Sequence, residues 1–300
     1  MPEEGLPWQN KKDILSYEEM HRLVLILSQM GIDKVRITGG EPFVRKDLLS
    51  FMQQISEIPG VNKLSITTNG TAPLNSISAM KKMGVHAVNL SLDTLDPKRF
   101  SKITRRDEFE KVWAYYKALL AHGIKTKINA VVMENQNTED IIDLCKLTLK
   151  DKVAVRFIEE MPFNGGSKGY QAIRWNYQYI LNHIKEAFPK LKKIEDHSSS
   201  TSYNYRIENA RGTIGVIPAY SRTICATCDR IRLTPTGELK TCLYQNGGFS
   251  MRDFLRAGAS DQDIKNKFLF FFGQRAKNGF ESEKQKDQSD SFESMATIGG

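Results

Sequence analysis

Strand-like and helix-like segments alternate along the first two thirds of the chain, and this repeat limits the fold more than any other feature. Each short apolar run is followed by a stretch with helical periodicity. Five such strands are predicted, at residues 34–38, 63–70, 87–94, 125–133 and 153–161. Strands separated by helical crossovers pair in parallel. The pattern therefore predicts an α/β fold, a parallel βα barrel of the TIM type.

The predicted barrel is incomplete at its beginning. The repeat opens on a helix, SYEEMHRLVLILSQMG, in which Ser16 and Glu19 form a capping box and Gly31 ends the helix. A βα repeat that opens on its helix suggests that a strand precedes residue 1. We therefore expect a barrel that lacks its first strand.

The repeat stops after Lys190, and the rest of the chain has a different character. The stretch EDHSSSTSYN is typical of a linker or loop, and the remainder to Phe272 is expected to be a strand-and-turn region. From Gln274 the chain is polar, which predicts a flexible tail ending in Gly299 and Gly300. We divide the chain into a barrel, residues 1–205, and a C-terminal region, residues 206–300.

Composition narrows the class of protein. The longest apolar runs, LVLIL and FLFFF, are far shorter than the roughly 20 residues of a membrane span. With no apolar signal-peptide centre at the start, we expect a cytoplasmic protein with reduced thiols and no membrane partner. The net charge of +8 favours anionic partners. Because no Lys/Arg block is present, we predict no nucleic-acid partner and consider phosphate-bearing small molecules.

Polar residues follow the predicted strands where barrels of this type bind their ligands, at the C-terminal ends. One such motif alone, GGEP, would be read as an ordinary turn. Five polar motifs, each at the end of a predicted strand, are harder to explain by turn chemistry. They are TGGEP at 38–42, TTNG at 67–70, SLD at 91–93, Asn129, and EEMP at 159–162.

Three of the four cysteines lie close together in a C-x2-C-x13-C pattern, as Cys225, Cys228 and Cys242. A structural zinc site completed by His197 or another side chain and an iron–sulfur cluster are equally compatible with this spacing. Arg230 and Arg232 lie between the cysteines. Alternate residues of a strand share a face, so their guanidinium groups would be placed together, as suits a triphosphate. This favours the cluster.

The motifs GGEP, ITTNG, NLSLDTLDP, KINAVV, RFIEEMP and CATCDRIRLTPTGELKTCL, with the terminal Gly-Gly, together resemble the GTP 3',8-cyclases. These are radical S-adenosylmethionine (SAM) enzymes that begin molybdenum cofactor biosynthesis. The resemblance extends from residue 1 to the last residue. It implies that a [4Fe–4S] cluster held by three cysteines presents an open iron to the guanine base. It further implies that an adenosyl radical abstracts the ribose 3' hydrogen, after which the carbon radical attacks guanine C8.

The resemblance also implies a set of site residues. GTP contacts are carried over to Arg36, Thr67, Lys127, Arg230, Ile231 and Arg232. SAM contacts are carried over to Gly40, Glu41, Ser91 and Met161. Cluster ligands are carried over to Cys225, Cys228 and Cys242, and no catalytic residue is singled out.

One departure from the family is large. Its members carry a C-x3-C-x2-C motif for a second [4Fe–4S] cluster, which cleaves SAM, and this motif is absent from the sequence. No protein side chain supplies that electron transfer, so we expect this chain not to catalyse. Either its true start was misassigned, which we favour, or it is a shortened relative that binds without turnover.

Two alternative functions stay open at this point. One is a non-catalytic zinc or nucleotide-binding module. The other is a peptide-modifying radical SAM enzyme, although such enzymes carry more C-terminal cysteines. For the cyclase interpretation, the implied partners are GTP and an electron donor for the cluster, and a homodimer is compatible with the sequence.

Overall fold

The computed structural model describes residues 9–161, 173–196, 200–245 and 248–284. The predicted Gly299–Gly300 terminus and His197 lie outside the described residues. The described chain falls into two compact units. We call residues 9–64 with 229–284 the terminal unit, because both chain ends build it, and residues 65–161 with 173–228 the central unit.

The strands and helices follow the predicted alternation. The strands are β1 Lys34–Ile37, β2 Lys63–Thr68, β3 Ala87–Ser91, β4 Thr126–Val132, β5 Val153–Glu159, β6 Leu191–Lys193, β7 Tyr203–Ile207, β8 Thr213–Ile217, β9 Arg232–Leu233, β10 Glu238–Lys240 and β11 Phe249–Ser250. The helices are α1 Tyr17–Gln29, α2 Leu48–Ser56, α3 Asn75–Lys82, α4 Pro97–Thr104, α5 Phe109–Ala121, α6 Asp140–Lys150, α7 Tyr177–Ala187, α8 Met251–Arg256, α9 Asp261–Gly273 and α10 Gly279–Lys284. Short 3-10 turns lie at Lys11–Asp13, Pro42–Val44 and Cys225–Thr227.

Eight strands form a mostly parallel sheet in the order β1-β2-β3-β4-β5-β8-β7-β6. The pairs β2–β3, β3–β4, β4–β5 and β5–β8 are parallel, whereas β7 is antiparallel to β6 and to β8. Strands β11, β10 and β9 form a separate antiparallel sheet. The predicted α/β class with a parallel sheet is confirmed.

Helix α1 begins where the sequence predicts, because its first turn is closed by side chains. The Ser16 hydroxyl accepts from the Glu19 N–H at 3.1 Å, and the Glu19 carboxylate accepts from the Ser16 N–H at 2.7 Å. These bonds satisfy N–H groups that a helix N-terminus leaves unpaired. At the other end, Gly31 has φ 96°, a conformation that side-chain-bearing residues adopt at a cost.

Replacing Ser16 with Ala is expected to lower the free energy of unfolding by about 1 kcal/mol, because the capping bond is lost. Urea unfolding followed by circular dichroism measures the change. Ser50→Ala, at an exposed position of α2, is the matched control and should change stability by less than about 0.5 kcal/mol. Equal effects of the two substitutions would contradict a stabilising role for the cap.

The strands of the central unit bury one face of the sheet. Successive side chains of a strand point to opposite faces. Ile66, Val88, Ile128 and Val155, one from each of four adjacent strands, are completely buried. In each strand, the residues that alternate with these buried ones are therefore directed to the other face of the sheet. That face is polar and is described below.

The core of the terminal unit joins residues that are far apart in sequence. Leu23 and Ile26 of α1 pack in one cluster with Leu239, Met251 and Phe268. Polar contacts add to this packing. Arg256 of α8 donates to the Glu19 carboxylate at 2.7 Å and to the Ile14 carbonyl at 3.0 Å. The Leu15 N–H donates to the Pro235 carbonyl at 2.9 Å.

Three features of the C-terminal third differ from the prediction. The run FLFFF was predicted within a strand-and-turn region, but it lies in α9, whose start is set by a capping box between Ser260 and Asp263. Strand β8 joins the main sheet beside β5. The predicted flexible tail begins with a described segment that contains helix α10, Gly279–Lys284.

Among the residues that the structure describes, no helix has the length and apolar character of a membrane span.

Candidate functional site

The polar face of the central unit gathers several of the predicted site residues. In the parallel register, Thr67 of β2 lies opposite Asn89 of β3, which lies opposite Lys127 of β4. One step further along, Ser91 lies opposite Asn129, and Asn129 lies opposite Arg156. Paired residues of neighbouring strands share a face, and strands are roughly 4.8 Å apart. Thr67, Ser91 and Lys127 therefore belong to one polar surface.

Hydrogen bonds order the middle of this surface. The Arg156 guanidinium donates to Asn89 Oδ1 at 2.6 Å, and Asn89 Nδ2 donates to Thr67 Oγ1 at 3.3 Å. Asn89 and Arg156 are both buried. Because Asn89 bridges a fixed charge on β5 and a hydroxyl on β2, the Thr67 side chain is held in a defined position.

Asn129 supplies a buried acceptor oxygen to which no described residue donates. Its Oδ1 is buried and has no hydrogen-bond partner among the described residues. A buried polar atom without a partner is costly, and in native proteins it usually serves a ligand or water. Asn129 lies next to Ser91, a predicted SAM contact. The amino and hydroxyl groups of SAM are donors of the kind that this oxygen would accept.

Asp93, two residues after Ser91, titrates unusually. Burial raises the pKa of Asp93 to about 6, against the opposing effect of the hydrogen bond that its Oδ1 accepts from the Val131 N–H at 2.8 Å. Its backbone carbonyl accepts from Asn137 Nδ2 at 2.9 Å. The residue thus ties the end of β3 to the end of β4 and the loop that follows it.

The free energy of unfolding is expected to fall between about pH 4 and 6 because of Asp93. In this range the folded chain keeps a proton that the unfolded chain has released, so raising the pH favours unfolding, by about 3 kcal/mol in total. Asp93→Asn retains an acceptor oxygen and should remove most of this fall. Urea unfolding at several pH values measures it, with the exposed Asp143→Asn as control. If the free energy of unfolding of Asp93→Asn still falls over this pH range, Asp93 is not the source of the fall.

In the terminal unit, three arginines approach one another. Burial and then the positive charges of Arg230 and Arg232 lower the pKa of Arg36 to about 10. The Arg36 side chain is nevertheless exposed, so the surrounding protein desolvates it without closing it off. Like charges held this close repel one another unless an anion lies between them. Arg36, Arg230 and Arg232 therefore form a site suited to an anion.

Lys34 is a fourth cation at the same place. Its pKa is lowered by burial first, then by the positive charges of Arg36 and Arg230, while Asp229 acts in the opposite direction. Lys34 and Arg36 lie two residues apart in β1, so their side chains share a face. We call Lys34, Arg36, Arg230 and Arg232 the basic cluster.

Ile231 is placed differently from its two arginine neighbours. Its side chain packs against the apolar core of the terminal unit. Arg232 and Leu233 form β9, and because Leu233 also packs against that core, Arg232 is directed to the other face of the strand. A contact of Ile231 with a nucleotide would therefore use its backbone, and the GTP contact predicted for it stays a prediction.

The turn after β1 carries Gly40 and Glu41, two of the predicted SAM contacts. A side-chain carbon added at Gly40 would meet no atom of the described residues within 4 Å. Glu41 accepts from the Phe43 N–H at 3.2 Å and caps the 3-10 turn Pro42–Val44. The carboxylate of Glu41 thus shapes the turn, and the exposed backbone at Gly40 can approach a ligand.

The end of β5 carries Met161, which is half-buried, and Glu159, which is fully buried. Glu159 accepts from the Tyr177 N–H at 2.5 Å, from the Ser221 N–H at 2.7 Å and from the Ser221 hydroxyl at 2.6 Å. The end of the strand is therefore fixed to helix α7 and to the segment that leads to Cys225.

All four cysteines are thiols that form no disulfide with one another. Cys145 is buried in α6, whereas Cys225, Cys228 and Cys242 are half-buried, as accessible metal ligands would be. Within the described part of the chain, no group of three or more His, Cys, Asp or Glu side chains is placed to hold a metal ion. The three-thiolate set predicted from the sequence therefore stays a prediction.

Four residues of this site were not named as site residues from the sequence, although Asn89, Arg156 and Glu159 lie in motifs quoted above. Lys34 could have been found, since it shares a strand face with Arg36. Asn89, Arg156 and Glu159 have bonding partners 18 to 67 residues away in sequence, so spacing carries no signal for them.

Two family models match the chain. The Radical SAM superfamily matches residues 3–148, and Molybdenum Cofactor Synthesis C matches residues 153–280. The GTP 3',8-cyclase of Heliobacterium modesticaldum (strain ATCC 51547 / Ice1) is 37% identical, over 89% of this chain and 83% of its own length. This chain belongs to the GTP 3',8-cyclase family. The family predicted from the motifs is thereby confirmed.

Other members of the cyclase family and its relatives differ in length. The mitochondrial GTP 3',8-cyclase of Arabidopsis thaliana is 35% identical, over 88% of this chain and 68% of its own. Molybdenum cofactor biosynthesis protein moc-5 of Caenorhabditis elegans is 35% identical over 99% of this chain and 51% of its own, and Molybdenum cofactor biosynthesis protein 1 of Bos taurus is 38% identical over 88% and 42%. The chain spans about half the length of these last two relatives.

Among solved structures, Streptococcus suis SuiB bound to S-adenosylmethionine is similar in fold. The TM-score is 0.62 at 16% identity, over 95% of this chain and 64% of that one. At this identity the likeness supports the fold alone, and it agrees with the radical SAM type predicted for the cyclase family.

Proposed function

We propose that this chain binds GTP and SAM as the core of a GTP 3',8-cyclase in molybdenum cofactor biosynthesis. The observation that carries the proposal is the basic cluster. Four cations lie close together there, and burial and positive neighbours lower the pKa values of Lys34 and Arg36, an effect that a bound triphosphate would oppose. Guanidinium groups bind phosphate oxygens in pairs, which fixes both position and orientation.

Arg36, Arg230 and Arg232, joined by Lys34, are the proposed contacts to the phosphates. Thr67 and Lys127 are the other proposed side-chain contacts to GTP, and Asn89 donates a hydrogen bond to the Thr67 hydroxyl. The backbone of Ile231 completes the set.

Cys225, Cys228 and Cys242 are the proposed ligands of a [4Fe–4S] cluster. Held by three thiolates, such a cluster keeps one iron open to a ligand atom of the guanine base. The half-buried thiols suit this role because a ligand thiolate needs both access to metal and partial shielding from water. The motif for the second cluster of the family is absent from the 300 residues. That the chain does not catalyse turnover therefore stays a prediction.

SAM is assigned to Gly40, Glu41, Ser91 and Met161, and we add Asn129. The open backbone at Gly40 and the unpartnered Asn129 oxygen both fit a ligand rich in donors. Met161 offers an apolar, polarizable contact to an adenine ring. The cytoplasmic location, the electron donor, the homodimer and the domain boundary near residue 205 remain proposals.

Equilibrium dialysis of the anaerobically reconstituted chain tests the proposal. GTP should bind more tightly than ATP by about tenfold, because only the guanine base is offered the open iron. The metal-free chain should bind both nucleotides weakly and equally through the basic cluster. Equal affinity for GTP and ATP in the reconstituted chain, or no nucleotide binding at all, would overturn the proposal.

A further inference from the structure

Glu159 is the last residue of β5, and it is completely buried. Its carboxylate accepts three hydrogen bonds, from the Tyr177 N–H, the Ser221 N–H and the Ser221 hydroxyl. All three distances lie between 2.5 and 2.7 Å. Short bonds of this kind are typical of an ionised acceptor.

No cation balances this carboxylate among the residues that the structure describes. It belongs to none of their ion pairs, and its two oxygens accept from the donors of the three hydrogen bonds. Burial of a charge is unfavourable unless its hydrogen-bonding capacity is filled. The segment around Ser221 is therefore held where it fills that capacity.

Ser221 is connected to the cysteine pair by an unbroken series of turns. Arg222 has φ 54° and its N–H donates to the Pro218 carbonyl at 2.8 Å. The Cys225 N–H donates to the Arg222 carbonyl at 3.1 Å, and the Cys228 N–H donates to the Cys225 carbonyl at 3.2 Å. Each turn fixes the position of the next turn. The position of Ser221 therefore determines the positions of Cys225 and Cys228.

We infer that Glu159 is a positioning residue for the Cys225–Cys228 pair. Its carboxylate fastens the start of this segment to the end of the strand that also leads to Met161. The thiols are thereby held in place before any cluster is bound. The inference rests on the proposed function, because it assigns to Glu159 the positioning of two cysteines that are proposed to hold the cluster.

A purely structural role for Glu159 predicts something different. In that case its loss would loosen the whole central unit, including Cys145 in α6. Cys145 is completely buried, and burial raises the pKa of its thiol, so it should react only when the unit opens. Cys145 is therefore an internal reporter of general loosening.

The test compares Glu159→Gln with Glu160→Gln in the full chain. The glutamine keeps the size of the side chain, but one oxygen becomes an NH2 group that cannot accept from an N–H. Glu160 is the matched control, since it is the next residue and its side chain forms no hydrogen bond among the described residues. Ser221→Ala, which removes only the hydroxyl bond, is the milder variant.

The first measurement is the rate of iodoacetamide alkylation of each cysteine in the reduced, metal-free chain, read by peptide mass spectrometry. Glu159→Gln should raise the rates at Cys225 and Cys228 by about tenfold and leave Cys145 and Cys242 unchanged, because one charge-assisted tether is lost. Ser221→Ala should act in the same direction by about threefold. Glu160→Gln should match the unaltered chain.

The second measurement is the rate at which a chelator removes iron from the reconstituted chain. This rate of iron removal should rise in the same order of variants as the alkylation rates at Cys225 and Cys228. Unchanged alkylation at Cys225 and Cys228, or an equal rise at Cys145, would overturn the inference. If Glu159→Gln does not fold, the Ser221→Ala rates decide. Absence of iron in every variant would instead count against the proposed function, and the alkylation result would still stand.

Discussion

Replacing Cys225 with Ser is expected to abolish iron and sulfide binding by the reconstituted chain. Three thiolates are the fewest that hold a cubane cluster with one open iron, so the loss of one leaves two irons without a protein ligand. Cys228→Ser and Cys242→Ser should have the same effect. The measurement is iron and sulfide per chain after anaerobic reconstitution, together with the visible absorption of the cluster.

Cys145→Ser is the control for this prediction. Cys145 lies in α6 and is fully buried, and burial raises the pKa of its thiol, which disfavours the thiolate that a metal requires. Its replacement should leave iron and sulfide unchanged. Loss of iron in Cys145→Ser would contradict the assignment of ligands. Zinc in place of iron and sulfide would favour a structural metal site.

The second large effect is expected at Arg36. Arg36→Met should weaken GTP binding by about tenfold or more, because a charge-assisted phosphate contact contributes roughly 1.5 to 3 kcal/mol. The same substitution should stabilise the chain without nucleotide, since it relieves repulsion with Arg230 and Arg232. Allowing for solvent screening of an exposed group, we expect a gain of about 1 kcal/mol.

The sign of the pH dependence supports this expectation. The pKa of Arg36 is lowered in the folded chain, so the unfolded chain binds its proton more tightly. The resulting destabilisation is fully present at neutral pH and disappears only as the pH rises above about 10.

Arg232→Ala should also weaken GTP binding by about tenfold.

Isothermal titration with GTP and urea unfolding of the same variants measure both effects. Arg206→Met is the control, because the Arg206 side chain is exposed on β7. It should alter neither GTP affinity nor stability by much. A variant at Arg36 that loses stability while retaining GTP affinity would show that the basic cluster is a structural feature.

The sequence predicts the first two thirds of the fold well, for a local physical reason. Helix α1 is specified by neighbours in the chain, from the Ser16 cap to Gly31, and the parallel strands are marked by their β-branched runs. The run FLFFF was misjudged because a short apolar run fits a strand and a helix equally. The capping box between Ser260 and Asp263 was the signal that decided it.

The candidate site was predicted only in part. Ser91 and Met161 were named as SAM contacts because the motifs around them resemble those of the cyclase family. The bonds from Asn89 to Arg156 and from Glu159 to Ser221 join residues more than 60 positions apart. Only a folded chain brings them together. The repulsion at Arg36 is likewise invisible until Arg230 and Arg232 are near it.

The terminal unit, built from both ends of the chain, has a consequence for synthesis on the ribosome. Leu23 and Ile26 emerge early, yet their partners Leu239, Met251 and Phe268 follow more than 200 residues later. At about 5 to 20 residues per second, this is a wait of roughly 10 to 40 s. The strands of the central unit are complete by residue 228 and can pair during that interval. The nascent α1 meanwhile exposes an apolar stripe, and chaperones can bind this stripe until Leu239, Met251 and Phe268 have been synthesised.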